Sequence, residues 1–199
     1  MRLFAYVLIL ILSCRSLSAQ VYNIGDRIKT FSLINASDNN KVSLNDFLSN
    51  NKAVAIIFTS QDCPYSKLYE ERIIRLASEF ESRGVKFLLI NPNNPNLSPS
   101  DAAASLTKYV VDKKIGLPYL IDNKQEVANA FGASKTPEVF LLKNINGAFV
   151  LQYKGAIDDN PQVANDVKIN YVREALNAIL TNATIKINDR RATGCMIKK

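Results

Sequence analysis

Short continuous apolar runs alternate along this chain with longer stretches whose apolar residues recur at helical spacing. Ala53-Val54-Ala55-Ile56-Ile57-Phe58 contains no polar position and is bounded by Lys52 and Thr59, the pattern of a strand buried on both faces. From Pro64 to Glu81, apolar side chains at Tyr65, Leu68, Tyr69, Ile73, Leu76, Ala77 and Phe80 follow a helical repeat. Pro64 suits the first helical turn, where its missing N–H has no partner to lose, and Gly84 follows the end. Val85 to Ile90 reads as a second buried strand, so strand, helix and strand predict a right-handed parallel crossover. An Asn/Pro-rich loop from Asn91 to Pro99 leads to a helix over Asp101 to Lys113. Leu117 to Ile121 reads as extended, Gln125 to Phe131 as a helix, and Gly132 to Pro137 as a loop. Val139 to Lys143 and Phe149 to Lys154 flank Asn146-Gly147, a strong hairpin signal. Val163, Val167, Tyr171, Val172, Ala175, Leu176, Ile179 and Leu180 share one face of a closing helix. Ahead of all these, Ile24 to Ser43 is an entry segment, and Val42 to Phe47 turns into a short helix.

The result is an α/β chain: a βαβ unit, a further helix, a β-hairpin and a closing helix. Its 199 residues suffice for one domain with a well-buried core. With 47% hydrophobic and 22% charged residues, it falls in the ordinary globular range, far from disordered or collagenous compositions.

The first residues follow a different pattern. Arg2 precedes an apolar run from Leu3 to Leu12, and small and polar residues follow up to Leu17-Ser18-Ala19-Gln20. That is the layout of a secretory signal peptide over residues 1–19, with a mature chain from Gln20 and an extracytoplasmic, periplasmic or secreted location. The run is well short of the ~20 apolar residues a spanning helix needs, so no membrane span is expected. A second reading stays open. Ile11-Leu12-Ser13-Cys14 resembles a bacterial lipoprotein box, which would keep Cys14 as a lipid-bearing N-terminus.

Loss of Arg2 and Arg15 with the leader lowers the formal net charge from +7 to +5. Most of the excess is local. Residues 185–199 carry Lys186, Arg190, Arg191, Lys198 and Lys199 against the single acid Asp189. Nucleic-acid binding would call for a basic stripe with interleaved aromatics across the folded face, and none is legible, so no nucleic-acid partner is expected. Residues 20–184 therefore form the domain, and 185–199 a basic C-terminal tail with Cys195.

With no histidine in the chain, imidazole-based triads and Cys/His zinc sites are excluded. No metal or other cofactor is called for. Asp158 and Asp159 read as a capped turn, Glu70 and Glu71 as a solvated helix face, and Tyr65 and Tyr69 as half-buried packing. Once the leader is gone, Cys63 and Cys195 are the only thiols, and an even pair in an oxidising compartment invites a bridge.

Phe58-Thr59-Ser60-Gln61-Asp62-Cys63-Pro64-Tyr65 closes the first buried strand, and Lys135-Thr136-Pro137-Glu138-Val139-Phe140 precedes the hairpin. Gly155-Ala156-Ile157-Asp158-Asp159-Asn160 and Gly194-Cys195 follow. In that order they resemble a bacterial branch of the alkyl hydroperoxide reductase/thiol-specific antioxidant and thioredoxin superfamily, over roughly Gly25 to Lys199. The resemblance implies a thioredoxin fold, a central mixed sheet flanked by helices, here with an extra helix inserted and a C-terminal tail. It implies a reactive Cys63, a cis Pro137 facing it, and a peptide-facing surface of Pro64, Tyr65, Thr136 and Pro137. Protein or small-molecule thiols and disulfides, or a peroxide, would be its partners.

The chain departs from that branch at Ser60, which stands where the first cysteine of Cys-x-x-Cys is found, so no dithiol forms within the motif. The segment Ala53 to Phe58 also lacks the acid that thioredoxins resemble one another in burying there. Ser60 and Cys63 fit the Ser-x-x-Cys spacing of peroxiredoxins, but Ile56 stands where those carry a proline. At a helix N-terminus, with Lys67 one turn on, the Cys63 thiolate gains stability, and Asp62 opposes it. The expectation is that Cys63 is the nucleophile and that Cys195, on a tail hinged at Gly194 and surrounded by positive charge, supplies the resolving thiol. Three function classes follow: a thiol-disulfide oxidoreductase, a peroxidase, and a thioredoxin-fold binding module without redox activity.

Overall fold

The structure, a computed structural model, describes residues 21–199; the leader and Cys14 lie outside them. Ten strands are described: β1 (Ser32–Asn35), β2 (Lys41–Ser43), β3 (Ala53–Phe58), β4 (Val85–Asn91), β5 (Tyr119–Ile121), β6 (Lys135–Thr136), β7 (Glu138–Ile145), β8 (Ala148–Gly155), β9 (Asp189–Arg190) and β10 (Cys195–Met196). The helices are α1 (Pro64–Glu81), α2 (Ala103–Asp112), α3 (Glu126–Phe131) and α4 (Tyr171–Thr181). Eight strands form one mixed sheet in the order β2-β1-β5-β4-β3-β7-β8-β9, and β6 pairs separately with β10.

β3 lies at the centre because all six of its side chains are buried, which only a strand covered on both faces allows. It runs parallel to β4 and antiparallel to β7. Alternate residues feed two cores. Ala55 and Ile57 join Tyr69, Ile73, Leu76 and Phe80 of α1 and Val172, Leu176 and Ile179 of α4. Val54, Ile56 and Phe58 face the other way, with Phe140, Phe149 and Phe131 of α3. There the Phe131 ring meets Phe140 and Tyr22 edge-on, with centroids 5.2 and 5.3 Å apart. Each such ring or aliphatic side chain contributes roughly 1.5–3 kcal/mol by leaving water.

The hairpin turns at Asn146 and Gly147, both at positive φ (51° and 74°), the backbone that matches the strand twist and that this dipeptide tolerates. Two helices are shorter than their periodicity suggests. The closing helix starts at Tyr171, not Val163, because Asn160 Oδ1 accepts from the Gln162 and Val163 amides and holds a turn that leaves Val163 exposed. Asn170 then caps α4 by accepting from the Arg173 amide at 2.9 Å. Ahead of α2, Pro99–Asp101 form a 3-10 turn instead of the helix start, which turns Asp101 inward.

The topology positions the site. β3 ends at Phe58, whose partner across the ladder is Glu138 at the start of β7. The loop after β3, with Ser60 and Cys63, and the loop before β7, with Thr136 and Pro137, therefore emerge at the same end of the sheet.

Candidate active site

Cys63 occupies the N-cap position of α1, with Pro64 at the first turn. Its sulfur is bonded to that of Cys195, with the two Cα atoms 5.9 Å apart and a sequence separation of 132. Cys63 Sγ also lies 3.0 Å from the Thr136 carbonyl oxygen, and the Thr136–Pro137 peptide bond is cis. Thr136 is fully buried and its hydroxyl has no partner. Tyr65, in the first turn of α1, is partly buried. Of the residues expected at the site, Cys63, Cys195, Thr136 and Pro137 thus meet in one place.

The C-terminal segment reaches this place as a strand. Cys195 pairs with Thr136 and Met196 with Lys135, antiparallel, and the Ile197 amide donates to the Ser134 carbonyl at 3.1 Å. The expectation of a hinge at Gly194 is not what the structure shows. A Cβ at Gly194 would sit 2.2 Å from the Thr136 carbonyl oxygen and 3.1 Å from Pro137 N, so this glycine serves close packing of the segment on the Thr136–Pro137 loop. Ala192 and Ile197 are buried on either side of it. Lys198 fastens the end: its amide donates to Asn93 Oδ1 at 2.9 Å, and its carbonyl accepts from Asn94 N and Gln125 Nε2 at 2.9 and 2.8 Å. Its ammonium pairs with Asp62 at 2.5 Å. The Lys198 hydrogen bond, partly opposed by desolvation, holds the Asp62 carboxyl below its ordinary value.

Sequence reasoning missed the residue that organises the loops. Asp101 is fully buried, and its carboxylate accepts from Ser60 Oγ (2.7 Å), Ser98 Oγ (2.7 Å), Asn91 Nδ2 (2.7 Å), Asn93 Nδ2 (2.8 Å) and the Gln61 amide (3.2 Å). So many donors offset the cost of keeping the group out of water. This buried acid comes from the β4–α2 loop, not from β3. The Asn/Pro-rich composition of that loop, ending on an acid after Ser98-Pro99-Ser100, was the only signal in the sequence. Ser60 is committed to this network: its hydroxyl donates to Asp101 and accepts from the Asp62 amide (3.0 Å) and Asn93 Nδ2 (3.1 Å).

A second polar cluster explains the Gly155 to Asn160 motif. Asp158, expected in a capped turn, is buried and accepts from Tyr69 Oη at 2.7 Å and Arg72 Nη1 at 2.9 Å. Arg72 also donates to the Asn160 carbonyl at 2.7 Å. Tyr69 is buried, not half-buried, and burial followed by the Asp158 contact pushes its hydroxyl above its ordinary pKa. This motif therefore ties α1 to the segment after β8. Glu70, expected to be solvated, accepts a hydrogen bond from Tyr109 Oη.

The AhpC/TSA family profile matches residues 24–160, from the entry segment through the Asp158 motif. The chain belongs to the AhpC/TSA family. Among solved structures, an uncharacterised conserved protein from Geobacillus kaustophilus is 30% identical with a TM-score of 0.80, the match covering 90% of this chain and 93% of that one. A protein named as the thiol:disulfide interchange protein DsbE from Chlorobium tepidum is 16% identical with a TM-score of 0.60, covering 79% and 98%. Peroxidoxin BcpB from Mycobacterium tuberculosis is 16% identical with a TM-score of 0.56, covering 79% and 94%. The last two establish a shared thioredoxin-like fold. A comparison with curated sequences found no match.

Proposed function

We propose that this AhpC/TSA member is an exported thiol-disulfide oxidoreductase whose exchanging pair is Cys63 and Cys195. One observation carries the reading: the C-terminal segment brings Cys195 onto Cys63 although 132 positions separate them. The pair replaces the dithiol that Ser60 removes from the motif. In the reduced protein, one thiolate attacks a substrate disulfide, forms a mixed disulfide and expels the first substrate thiolate. The other then attacks the enzyme sulfur of that mixed disulfide and expels the second substrate thiolate, leaving Cys63–Cys195 oxidised and the substrate reduced by two electrons. An external dithiol returns the pair to its reduced form.

Ser60 supports exchange over peroxide chemistry, because its hydroxyl is spent on Asp101 and the Asp62 amide. Export is supported by the charged, apolar and small-residue layout of residues 1–19. Turnover of a disulfide-bonded peptide by the reduced protein, in the presence of a dithiol donor, tests the reading. Wild type turns over, while Cys63→Ser and Cys195→Ser each stop after one mixed disulfide or never start. Wild-type turnover in both variants would overturn it, as would peroxide consumption by wild type far faster than by a free thiol. N-terminal sequencing of the mature protein checks export, with a start near Gln20 expected and an intact Met1 refuting it.

A further inference from the structure

We infer that Cys195 is the thiol that meets the substrate, and that Cys63 is the resolving thiol that never bonds to it. The inference rests on the exchange reading and reverses the expectation that Cys63 attacks and Cys195 resolves. Its basis is access. Cys63 is 2% exposed, whereas Cys195 is only partly covered and sits on a two-residue strand whose next member, Met196, is 62% exposed. A substrate disulfide must approach the attacking sulfur in line with the bond that breaks, and one pressed under a neighbouring strand offers no such line.

What covers Cys63 does not depend on the disulfide alone. Gly194 packs on the Thr136 carbonyl, β10 pairs with β6, Ile197 is buried, and Lys198 is held by Asn93, Asn94, Gln125 and Asp62. None of these contacts involves the sulfur–sulfur bond, so on this reading they hold Cys195 near Cys63, and Cys63 largely shielded, even where reduction loosens the end of the segment.

The chemistry of each step then follows. The Cys195 thiolate attacks one sulfur of the substrate disulfide, the substrate sulfur–sulfur bond breaks, and the other substrate sulfur leaves as a thiolate. Cys63, as thiolate, attacks Cys195 Sγ; the bond from Cys195 to substrate breaks, and the second substrate thiolate departs. In the return direction a donor thiolate attacks Cys195 Sγ, and Cys63 leaves as a thiolate at the N-terminus of the long helix α1, which stabilises negative charge. Its place at the helix start thus serves a leaving and resolving group, with no need for solvent access.

The test maps which sulfur carries the small molecule. Oxidised wild-type protein is mixed with a soluble monothiol, quenched with an alkylating agent, and digested for mass spectrometry. The monothiol should be found on Cys195 and the alkyl group on Cys63; the opposite arrangement overturns the inference while leaving the redox pair intact. In parallel, folded Cys63→Ser protein, checked by circular dichroism, should react with an aromatic disulfide on the order of tenfold faster than Cys195→Ser protein, because thiolate character and access set the rate. Equal rates, or a faster Cys195→Ser variant, overturn it. If wild type shows neither exchange nor turnover, the proposed function fails first and this assignment falls with it.

Discussion

The last fifteen residues are fastened to the domain at two points that use the same packing device in opposite ways. At β9, the glycine belongs to the domain: Gly155, at a φ of 121°, leaves space in which a Cβ would lie 1.7 Å from the Arg190 carbonyl oxygen. At β10, the glycine belongs to the segment: Gly194 lets it lie on Thr136 and Pro137. Arg190 accepts from the Ala156 amide at 2.8 Å, the Lys154 amide donates to Asn188 at 3.0 Å, and the Lys154 ammonium lies 3.4 Å from the Asp189 carboxylate, so the first anchor is backbone pairing with one ion pair. The second also has an ion pair and adds a covalent bond and a buried network behind it. On the proposed exchange reading, a permanent attachment delivers the segment and a reversible one beside it does the chemistry. A long C-terminal excursion can stand in for a thiol lost from the motif only if its position is fixed before the sulfurs meet.

Reduction separates the two anchors most strongly. Closing a loop of this length restricts the unfolded chain by about 5 kcal/mol, so urea unfolding of the reduced protein should show a loss approaching that size. Local opening is a separate effect that hydrogen exchange reads: beyond the global loss, amides at Ile197 and Lys198 should lose more protection than those at Lys154 and Ala156. Equal extra loss at both anchors, beyond the global effect, would mean that β9 is no independent attachment.

The next effect lies behind the second anchor. Asp101→Asn keeps the shape but replaces an acceptor oxygen with a donor amide facing Ser60, Ser98 and the asparagines, and should cost about 3 kcal/mol, since buried donors lose their partners. Asp101→Ala opens a cavity and should cost at least as much. If Asp101→Asn unfolds at the wild-type midpoint, the network is not what holds the loops.

Gly155→Ala attacks the first anchor alone. Both the close approach and the positive φ oppose a side chain there, at a cost of about 2 kcal/mol. The Cys63–Cys195 bond should still form, because β10, Ile197 and Lys198 are untouched, and non-reducing peptide mapping would show it. A variant in which the thiols stay free would mean that β9 must form before β10.

The sequence discloses these two anchors unequally. The central strands and α1 are legible from their own periodicity: Ala53 to Phe58 and Pro64 to Glu81 appear at the bounds their patterns predict, because burial on both faces and a helical stripe each leave a local imprint. Cys63, Thr136 and Pro137 are legible through their neighbours in the chain. Asp101 is not, because its five donors come from Ser60, Gln61, Asn91, Asn93 and Ser98, and no local pattern marks an acid that long-range contacts will bury. The tail misleads for the same reason. Two-residue strands such as β9 and β10 carry no period, and a glycine beside a cysteine looks like a hinge until Thr136 is placed against it. Val163 and Val167 fit the stripe of α4 yet fall outside it, since the Asn160 turn competes with helix formation.

The smallest effect concerns the ion pair at the end of the second anchor, and pH resolves it. Asp62 has a carboxyl held below its ordinary value of 3.8 in the folded protein, chiefly by the Lys198 hydrogen bond. A group whose folded pKa is depressed adds stability that is fully present above the unfolded value and is lost as pH falls through the folded one. The contribution therefore stays constant at neutral and mildly acidic pH and fades below about 4. Both side chains are more than a third exposed, so solvent screens the pair and the effect is small. It should be visible only in reduced protein, where no disulfide masks the end of the segment. Hydrogen exchange at Ile197 and Lys198, corrected for the intrinsic effect of pH, should then accelerate below about pH 4 in wild type. Asp62→Asn should exchange somewhat faster at neutral pH and lose the acid-dependent step. If wild type and variant follow the same pH profile, the Lys198 end is held by its backbone contacts to Asn93, Asn94 and Gln125, and the ion pair adds nothing to the anchor.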